Sequence, residues 1–256
     1  MNPFKIVRIG FLLLIFLAVH FCASAQKLRI AVAANAQGLI KKLQLDFKKQ
    51  TGIETEAIIG ASGKLTAQIM NGAPYDLFLS ADTEFPEKLF KAGYGIKKPK
   101  IYALGSLIVC STFDGDISNW QAMIKSEQVK KVAIANPKTA PYGRAAQESL
   151  KFYQLEGQIA PKLVFAESIS QVNTYLQTAV VSMGFTTEAF LYENSDKTKL
   201  KWTRINPESY ARIEQAVILL ANANKTGLAK ANKFYDYLSS ASARKIIASN
   251  GYHLPK

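Results

Sequence analysis

Strand-like and helix-like segments alternate along most of the chain, and this alternation constrains the fold more than any other feature. Apolar residues at every second position predict a strand over residues 28–32. Leu39, Leu43 and Phe47 recur at helical spacing and predict a helix over residues 36–50. The same patterns predict strands over 54–60, 76–80, 107–110, 132–135, 181–186 and 216–221, helices over 64–71, 144–153 and 171–178, and two C-terminal helices. Such an order is typical of an α/β fold with mostly parallel sheets flanked by helices.

The chain has 256 residues, which is long enough for two lobes, and it shows no low-complexity linker and no tandem repeat. Two lobes would then be joined by continuous strands. The long extended apolar runs at 102–110 and 213–221 are the expected crossings. We therefore predict a first lobe formed by residues 26–104 and 214–256 and a second lobe formed by residues 105–213.

The N-terminus has the pattern of an export signal. Lys5 and Arg8 precede an apolar run over residues 9–21, and the small residues 23–25 follow it. The run is shorter than the roughly 20 residues that a membrane-spanning helix needs. We predict that residues 1–25 are a signal peptide, that cleavage follows Ala25, and that the protein is periplasmic. Lipid attachment at Cys22 is the alternative, although the bulky residue before it fits a lipoprotein site poorly.

Composition excludes several common chemistries. Beyond the predicted signal peptide the chain keeps one cysteine, Cys110, and one histidine, His253. An internal disulfide therefore cannot form, and neither a His-rich zinc site nor a Ser-His catalytic pair is easily built. The formal net charge of +13 attracts anions generally. The lysines are scattered and no nucleic-acid motif accompanies them, so we predict no nucleic-acid partner.

Four strand ends lead through small or polar residues into a predicted helix, at residues 34–36, 60–63, 140–143 and 168–170. A helix N-terminus has unpaired N–H groups and a partial positive charge, so it favours anions. Asn and Ser are also the usual helix caps, and this leaves capping open as the role of Asn35 and Ser62. The segment 60–65 lacks the spacing of a phosphate-binding P-loop and of a hydrolase nucleophile elbow.

These segments resemble the periplasmic molybdate-binding proteins of ABC transporters. The most specific match is G-A-P-Y-D-L-F-L-S-A-D at residues 72–82. Further matches lie at 31–35, 60–65, 102–109, 135–144, 234–238 and 249–252, in order along the chain. The resemblance implies two α/β lobes that close on one dehydrated tetrahedral oxyanion in the cleft between them. It also implies a monomeric carrier without a cofactor that delivers molybdate or tungstate to a membrane permease.

The resemblance also implies a set of contact residues. Asn35 and Ser62 match the first two contacts of the family, and Tyr142 and Ile169 match positions whose backbone N–H groups face the anion. These groups would contact the oxygens of molybdate and would not ligate the metal itself. Some members have a contacting Tyr where this chain has Thr187. Thr187 is therefore a fifth candidate, with a shorter side chain.

Two other functions stay open on the sequence alone. The first is a carrier for another oxyanion, such as sulfate or phosphate. The second is an exported enzyme that uses Asp76, Asp82 or Glu167 as acid–base groups, although their spacing does not require paired carboxylates to face one pocket. Since no catalytic motif is found, we predict that the protein is not an enzyme.

Overall fold

Within the residues that the computed structural model describes, 27–193 and 200–255, ten strands form two five-stranded sheets. The predicted signal peptide, its cleavage site and Cys22 lie outside the described residues. The strands are β1 Leu28–Ala33, β2 Thr55–Gly60, β3 Leu77–Leu79, β4 Lys100–Gly105, β5 Leu107–Ser111, β6 Val132–Ala135, β7 Leu163–Ala166, β8 Met183–Thr187, β9 Lys201–Arg204 and β10 Ile213–Leu219.

Helices follow most of these strands. They are α1 Gln37–Thr51, α2 Ser62–Met70, α3 Glu84–Lys91, α4 Trp120–Met123, α5 Pro141–Phe152, α6 Glu156–Ile159, α7 Ile169–Gln177, α8 Phe190–Glu193, α9 Ala223–Thr226, α10 Leu228–Tyr237 and α11 Ala241–Ala248. Short 3-10 turns lie at Ala34–Ala36, Ala160–Lys162 and Pro207–Ser209. None of the helices in the described part of the chain is long and apolar enough to span a bilayer.

The two sheets share one topology. The first has the strand order β2-β1-β3-β10-β4 and the second has the order β7-β6-β8-β5-β9. In the first sheet only β10 runs against its neighbours, and in the second only β5 does. Four strands of each sheet therefore point the same way, which confirms the prediction of mostly parallel sheets. In each sheet the reversed strand is the first one that the chain enters after it arrives from the other sheet.

The chain passes between the sheets twice. The first passage is at Ser106, between β4 and β5, inside the run predicted as a crossing. The second prediction, 213–221, was wrong, because β10 pairs entirely within the first sheet and the return path is 205–212. An apolar run marks a buried strand whether or not it crosses between lobes, so hydrophobicity could not locate the passage. The lobe limits at 104/105 and 213/214 stay predictions.

Each sheet is covered by helices through continuous apolar contact. On one face of the first sheet, α1 buries Leu39, Leu43 and Phe47, as their spacing predicts. The ring of Phe47 meets that of Phe234 in α10 edge to face, with ring centroids 4.9 Å apart. Burying each such side chain contributes about 1.5–3 kcal/mol. Cys110 lies in the core of the second lobe, where burial raises its thiol pKa to about 12.

Three helices begin two or three residues earlier than predicted. α2 begins at Ser62, α5 at Pro141 and α7 at Ile169. Residues expected in loops before the helices therefore form their first turns. Proline is favoured at the first helical position because its missing N–H would have no partner there. The edge strands β7 and β9 were not predicted, because each is four residues long and partly exposed.

Candidate functional site

A small cavity lies between the two sheets, at the ends of strands and the beginnings of helices. All the residues around it are buried, and they are Ala33, Ala34, Asn35, Ala61, Ser62, Ala81, Ala140, Pro141, Tyr142 and Ile169. The centre of a water-sized sphere can move through about 10 Å³ of this space. That is room for one small molecule or ion.

The cavity occupies the usual ligand position of α/β sheets, beyond the carboxyl ends of the strands. The first lobe contributes the turn after β1, the start of α2 and the residue Ala81 after β3. The second lobe contributes the starts of α5 and α7. Three helix N-termini therefore converge on one space from two lobes, and their partial positive charges add there.

Ser62 is placed to donate a hydrogen bond into the cavity. The residue that precedes α2 is Ala61, so Ser62 is not the helix cap that its residue type left open. Its Oγ accepts a hydrogen bond from the N–H of Ala81 at 3.1 Å. Within the described residues no acceptor pairs with its hydroxyl hydrogen, and the side chain is 1% exposed. The hydroxyl is therefore held as a donor, which is the role an oxyanion requires.

Tyr142 and Ile169 lie where a backbone N–H can serve as a donor. Tyr142 is the second residue of α5 and Ile169 the first of α7. N–H groups at these positions have no acceptor within their own helix. Ser168 caps α7 by accepting from the N–H of Gln171, which leaves the N–H of Ile169 available. Both residues line the cavity.

Asn35 lines the cavity, but its side chain is bonded behind it. Its Nδ2 donates to Oε1 of Gln215 at 2.8 Å and to the hydroxyl of Tyr252 at 3.2 Å. The Tyr252 hydroxyl donates in turn to the carbonyl oxygen of Asn35 at 2.7 Å. Asn35 is therefore not a helix cap, since α1 follows Ala36. The side-chain nitrogen of Asn35 therefore holds the 3-10 turn against Gln215 and Tyr252.

Thr187 does not line the cavity, unlike the other four predicted site residues. Its hydroxyl donates to the hydroxyl of Tyr142 at 3.1 Å and accepts from the N–H of Ala189 at 3.2 Å. The short side chain thus supports Tyr142 from behind. The role of all five residues as ligand contacts stays a prediction.

A cluster of buried polar side chains lies behind the cavity, and sequence reasoning missed half of it. We call it the hinge cluster, since it packs against the passage between the lobes, and its members are Asn35, Tyr102, Tyr142, Thr187, Gln215 and Tyr252. Burial raises the pKa of each tyrosine well above its usual range, so all three hydroxyls stay neutral. The one available signal was an amide, Gln215, directly before an apolar run.

Among the residues that the structure describes, no charged side chain lines the cavity. The three carboxylates considered for an enzyme are used elsewhere. Asp76 accepts from the N–H of Arg29 at 2.8 Å, Glu167 pairs with Lys64 at 2.6 Å, and Asp82 accepts from the N–H of Phe85 at 3.2 Å. Burial raises the pKa of Asp82, yet its carboxylate does not reach the cavity. No cluster of potential metal ligands occurs in residues 27–193 and 200–255.

Charged contacts bridge the lobes at the surface instead. We call them the rim pairs: Lys64 with Glu167, and Arg144 with both Asp82 and Glu84. Beside them the N–H of Gly63 donates to the carbonyl oxygen of Thr139 at 2.8 Å. These contacts join α2, α3 and the residue Asp82 before α3 in the first lobe to α5 and to the segments before α5 and α7 in the second. The lobes therefore stand closed over the cavity.

A second, open cleft lies elsewhere between the lobes. The centre of a water-sized sphere can move through about 420 Å³ of it. Its lining includes Lys41 and Lys42 of α1 and Glu193 of α8. The Oε1 of Glu193 accepts from the N–H of Gly38 at 2.8 Å, and burial raises the pKa of this carboxyl. The two spaces differ in kind: the cavity is small and lined by buried neutral side chains, whereas the cleft is large and lined in part by charged side chains.

Several known proteins of similar sequence and structure are named molybdate-binding proteins. The family described as bacterial extracellular solute-binding protein matches residues 28–253. The molybdate-binding protein ModA of Azotobacter vinelandii is 34% identical over 91% of this chain and 92% of its own. That of Rhodobacter capsulatus is 33% identical over 90% and 89%. The solved periplasmic molybdate-binding protein of Azotobacter vinelandii superimposes with a TM-score of 0.84 at 30% identity, covering 90% of this chain and 100% of that one. These matches confirm the resemblance that the motifs indicate.

Proposed function

The chain belongs to the bacterial extracellular solute-binding proteins, and we propose that it captures molybdate or tungstate and delivers the anion to an ABC importer. The observation that carries this proposal is the neutral, buried cavity onto which three helix N-termini and the Ser62 hydroxyl converge. The similarity to molybdate-binding proteins supports the choice of anion. The protein is a carrier and not an enzyme.

Neutral donors suffice to hold a dianion if enough of them converge. Burying an unpaired ion costs tens of kcal/mol by simple solvation arguments, so the pocket must replace the water shell closely. Each hydrogen bond to a charged group contributes roughly 1.5–3 kcal/mol. Several such bonds, from Ser62, Tyr142 and Ile169 and from the turn at Asn35, supply on the order of 10 kcal/mol together with the helix dipoles. No counterion is then required.

Selectivity follows from the kind of groups that line the cavity. Molybdate, tungstate and sulfate are dianions that only accept hydrogen bonds, whereas phosphate near neutral pH carries a proton that needs an acceptor. The side chains of Ala33, Ala61, Ala81, Ala140, Pro141 and Ile169 offer none. A lining with few acceptors should disfavour protonated phosphate, and we expect sulfate to be distinguished from molybdate by size.

Calorimetric titration of the purified protein with molybdate, tungstate, sulfate and phosphate tests the proposal. We expect one-to-one binding of the first two, with sulfate at least about a hundredfold weaker, a difference of about 2.7 kcal/mol. Tight sulfate binding would assign the site to another oxyanion. Absence of heat with every oxyanion would contradict the proposal altogether.

Export and the partner belong to the same proposal. Closure of two lobes about a hinge is a known mechanism of periplasmic binding proteins, and the closed form is the one that a membrane permease would recognise. We expect a monomer that begins at Gln26 after cleavage behind Ala25. Intact mass of the exported protein measures this start directly. A chain that starts at a lipid-modified Cys22 would indicate membrane anchoring instead.

A further inference from the structure

Gln215 occupies an irregular point in the first sheet. The pairing of β10 with β4 shifts register between Gln215 and Ala216, so that Tyr102 of β4 is an extra residue. Bulges of this kind re-aim side chains and are common beside functional sites. Gln215 is 0% exposed, and a buried amide is costly unless its oxygen and nitrogen are both hydrogen-bonded.

The oxygen and the nitrogen of the Gln215 side-chain amide form hydrogen bonds with residues of different lobes. Its Oε1 accepts from Nδ2 of Asn35 at 2.8 Å and from the hydroxyl of Tyr102 at 3.2 Å, both in the first lobe. Its Nε2 donates to the hydroxyl of Tyr142, in the second lobe, at 3.3 Å. Asn35 and Tyr142 both line the cavity. One side chain therefore connects a wall residue of each lobe.

The same amide packs against the passage between the lobes. A Cβ at Gly105, the last residue of β4, would lie 2.0 Å from the Tyr142 hydroxyl and 3.0 Å from Nε2 of Gln215. Contacts that close do not occur between real atoms, so only glycine permits this arrangement. The hydroxyl of Tyr142 also accepts from Thr187, but that bond lies within the second lobe. The bond to Gln215 is the one that lobe opening would break.

We propose that Gln215 is a positioning residue for the oxyanion, which it never touches: it fixes the Asn35 turn and the start of α5 at the spacing that the closed site requires. This inference rests on the proposed function, since it assigns to Gln215 a part in that same site. The amide oxygen faces donors and the amide nitrogen faces an acceptor. Only a side chain that has both an acceptor and a donor can therefore replace the amide.

The pH dependence of molybdate binding by the Gln215→Glu variant tests this proposal. A protonated carboxyl keeps one acceptor and one donor, whereas an ionised one loses the donor and adds a negative charge near the anion. Burial favours the neutral form, so that form dominates as the pH falls. The titratable groups that face Gln215 are Tyr102 and Tyr142, and both stay neutral through this range because burial raises their pKa.

The quantity to measure is the ratio of the molybdate Kd of the variant to that of wild type, at each pH. We expect Gln215→Glu to bind at least about tenfold more weakly at alkaline pH and to approach wild type as the pH is lowered. Gln215→Leu, which has neither donor nor acceptor, should show a similar loss without recovery. Thermal unfolding without ligand identifies any variant that fails to fold.

A matched control is Gln68→Glu. Oε1 of Gln68 also accepts from a tyrosine hydroxyl, that of Tyr75 at 2.9 Å, but it lies on an exposed face outside the cavity. Its Kd ratio should stay near one at every pH. A ratio near one for Gln215→Glu, or a loss that does not change with pH, would overturn the proposal. If wild type binds no oxyanion, the proposed function fails first and this inference falls with it.

Discussion

The hinge cluster and the rim pairs both join the two lobes, yet they are built from opposite chemistry. The hinge cluster is neutral and buried, and its hydrogen bonds run through Gln215 and Tyr142. The rim pairs are charged and partly exposed, with Lys64 and Glu167 showing 49% and 63% of their side chains to solvent. Water screens exposed charges, so the rim pairs interact only weakly. They can therefore hold the lobes together at the surface without placing a charged side chain beside the ligand.

Because of this difference, we expect the two groups of contacts to affect ligand binding in different ways. The groups in and behind the cavity should determine affinity and selectivity, because hydrogen bonds to a buried charge are strong. The rim pairs should mainly affect how often the lobes open, which appears in the dissociation rate. Substitutions in the two regions should therefore differ in magnitude, in kinetics and in salt dependence.

The largest effect is expected from Ile169→Pro, which removes one backbone donor from the cavity. Ile169 is the first residue of α7 and follows Ser168 in an extended conformation, with φ −149° and ψ 168°, so proline fits there. Loss of one hydrogen bond to a charged group should weaken molybdate binding about 10- to 150-fold. Ile169→Val keeps the N–H and serves as the control. Equal affinities of the two variants in calorimetry would remove Ile169 from the contact set.

Ser62→Ala is expected to weaken binding about 5- to 150-fold through loss of the hydroxyl donor, which corresponds to about 1–3 kcal/mol. It also leaves the N–H of Ala81 without its acceptor, so the free energy of unfolding should fall by about 1 kcal/mol. Ser242→Ala, which removes a hydrogen bond to Asp46 far from the cavity, should lower stability alone. An unchanged Kd for Ser62→Ala would mean that this hydroxyl only supports Ala81.

Gly63→Ala tests how tightly the lobes must close beside the cavity. A Cβ at this position would lie 3.0 Å from Cα of Thr139 in the other lobe and 3.0 Å from the ring of Phe85. Relieving such contacts costs about 1 kcal/mol or more, so affinity should fall about fivefold or more. Small-angle scattering with ligand should show a less compact molecule. Gly157→Ala, which has open space around it, is the matched control, and identical behaviour of the two variants would contradict the account.

The smallest effect is expected from Lys64→Gln, which breaks a rim pair. Exposed ion pairs contribute about 0.2–1 kcal/mol, so the Kd should rise only about 1.4- to 5-fold, mostly through faster dissociation. The difference from wild type should shrink at high salt. Lys48→Gln breaks a similar pair, with Glu54 at 2.7 Å, inside one lobe and should leave binding unchanged. A loss of affinity above about tenfold for Lys64→Gln would contradict the expected difference between the rim pairs and the cavity.

Much of the fold could be predicted because it depends on local patterns. The spacing of Leu39, Leu43 and Phe47 indicated α1, and the apolar runs indicated the central strands. The edge strands β7 and β9 escaped prediction because they bury little. The early starts of α2, α5 and α7 escaped it because small residues, Pro and Gly look like a loop in sequence, although they also suit a first helical turn.

The site was predictable only in part, for a physical reason. Helix N-termini have a local signature, so the segments that contain Ser62, Tyr142 and Ile169 could be found one at a time; the resemblance then singled out the residues, and the structure brings them to one cavity. The hinge cluster has no such signature, because Gln215 meets Asn35 across 180 positions of sequence. Thr187 was chosen through the resemblance to the family, and only the packing reveals that its hydroxyl supports Tyr142 from outside the cavity.

The most direct test of the neutral cavity as the binding site is anomalous diffraction from crystals grown with molybdate or tungstate. The metal's own scattering locates the anion without reference to any contact residue. We expect one strong peak enclosed by Ser62, Tyr142 and Ile169, with no Lys or Arg side chain beside it. A peak next to Lys41 and Lys42 in the open cleft, or no ordered peak, would contradict the account.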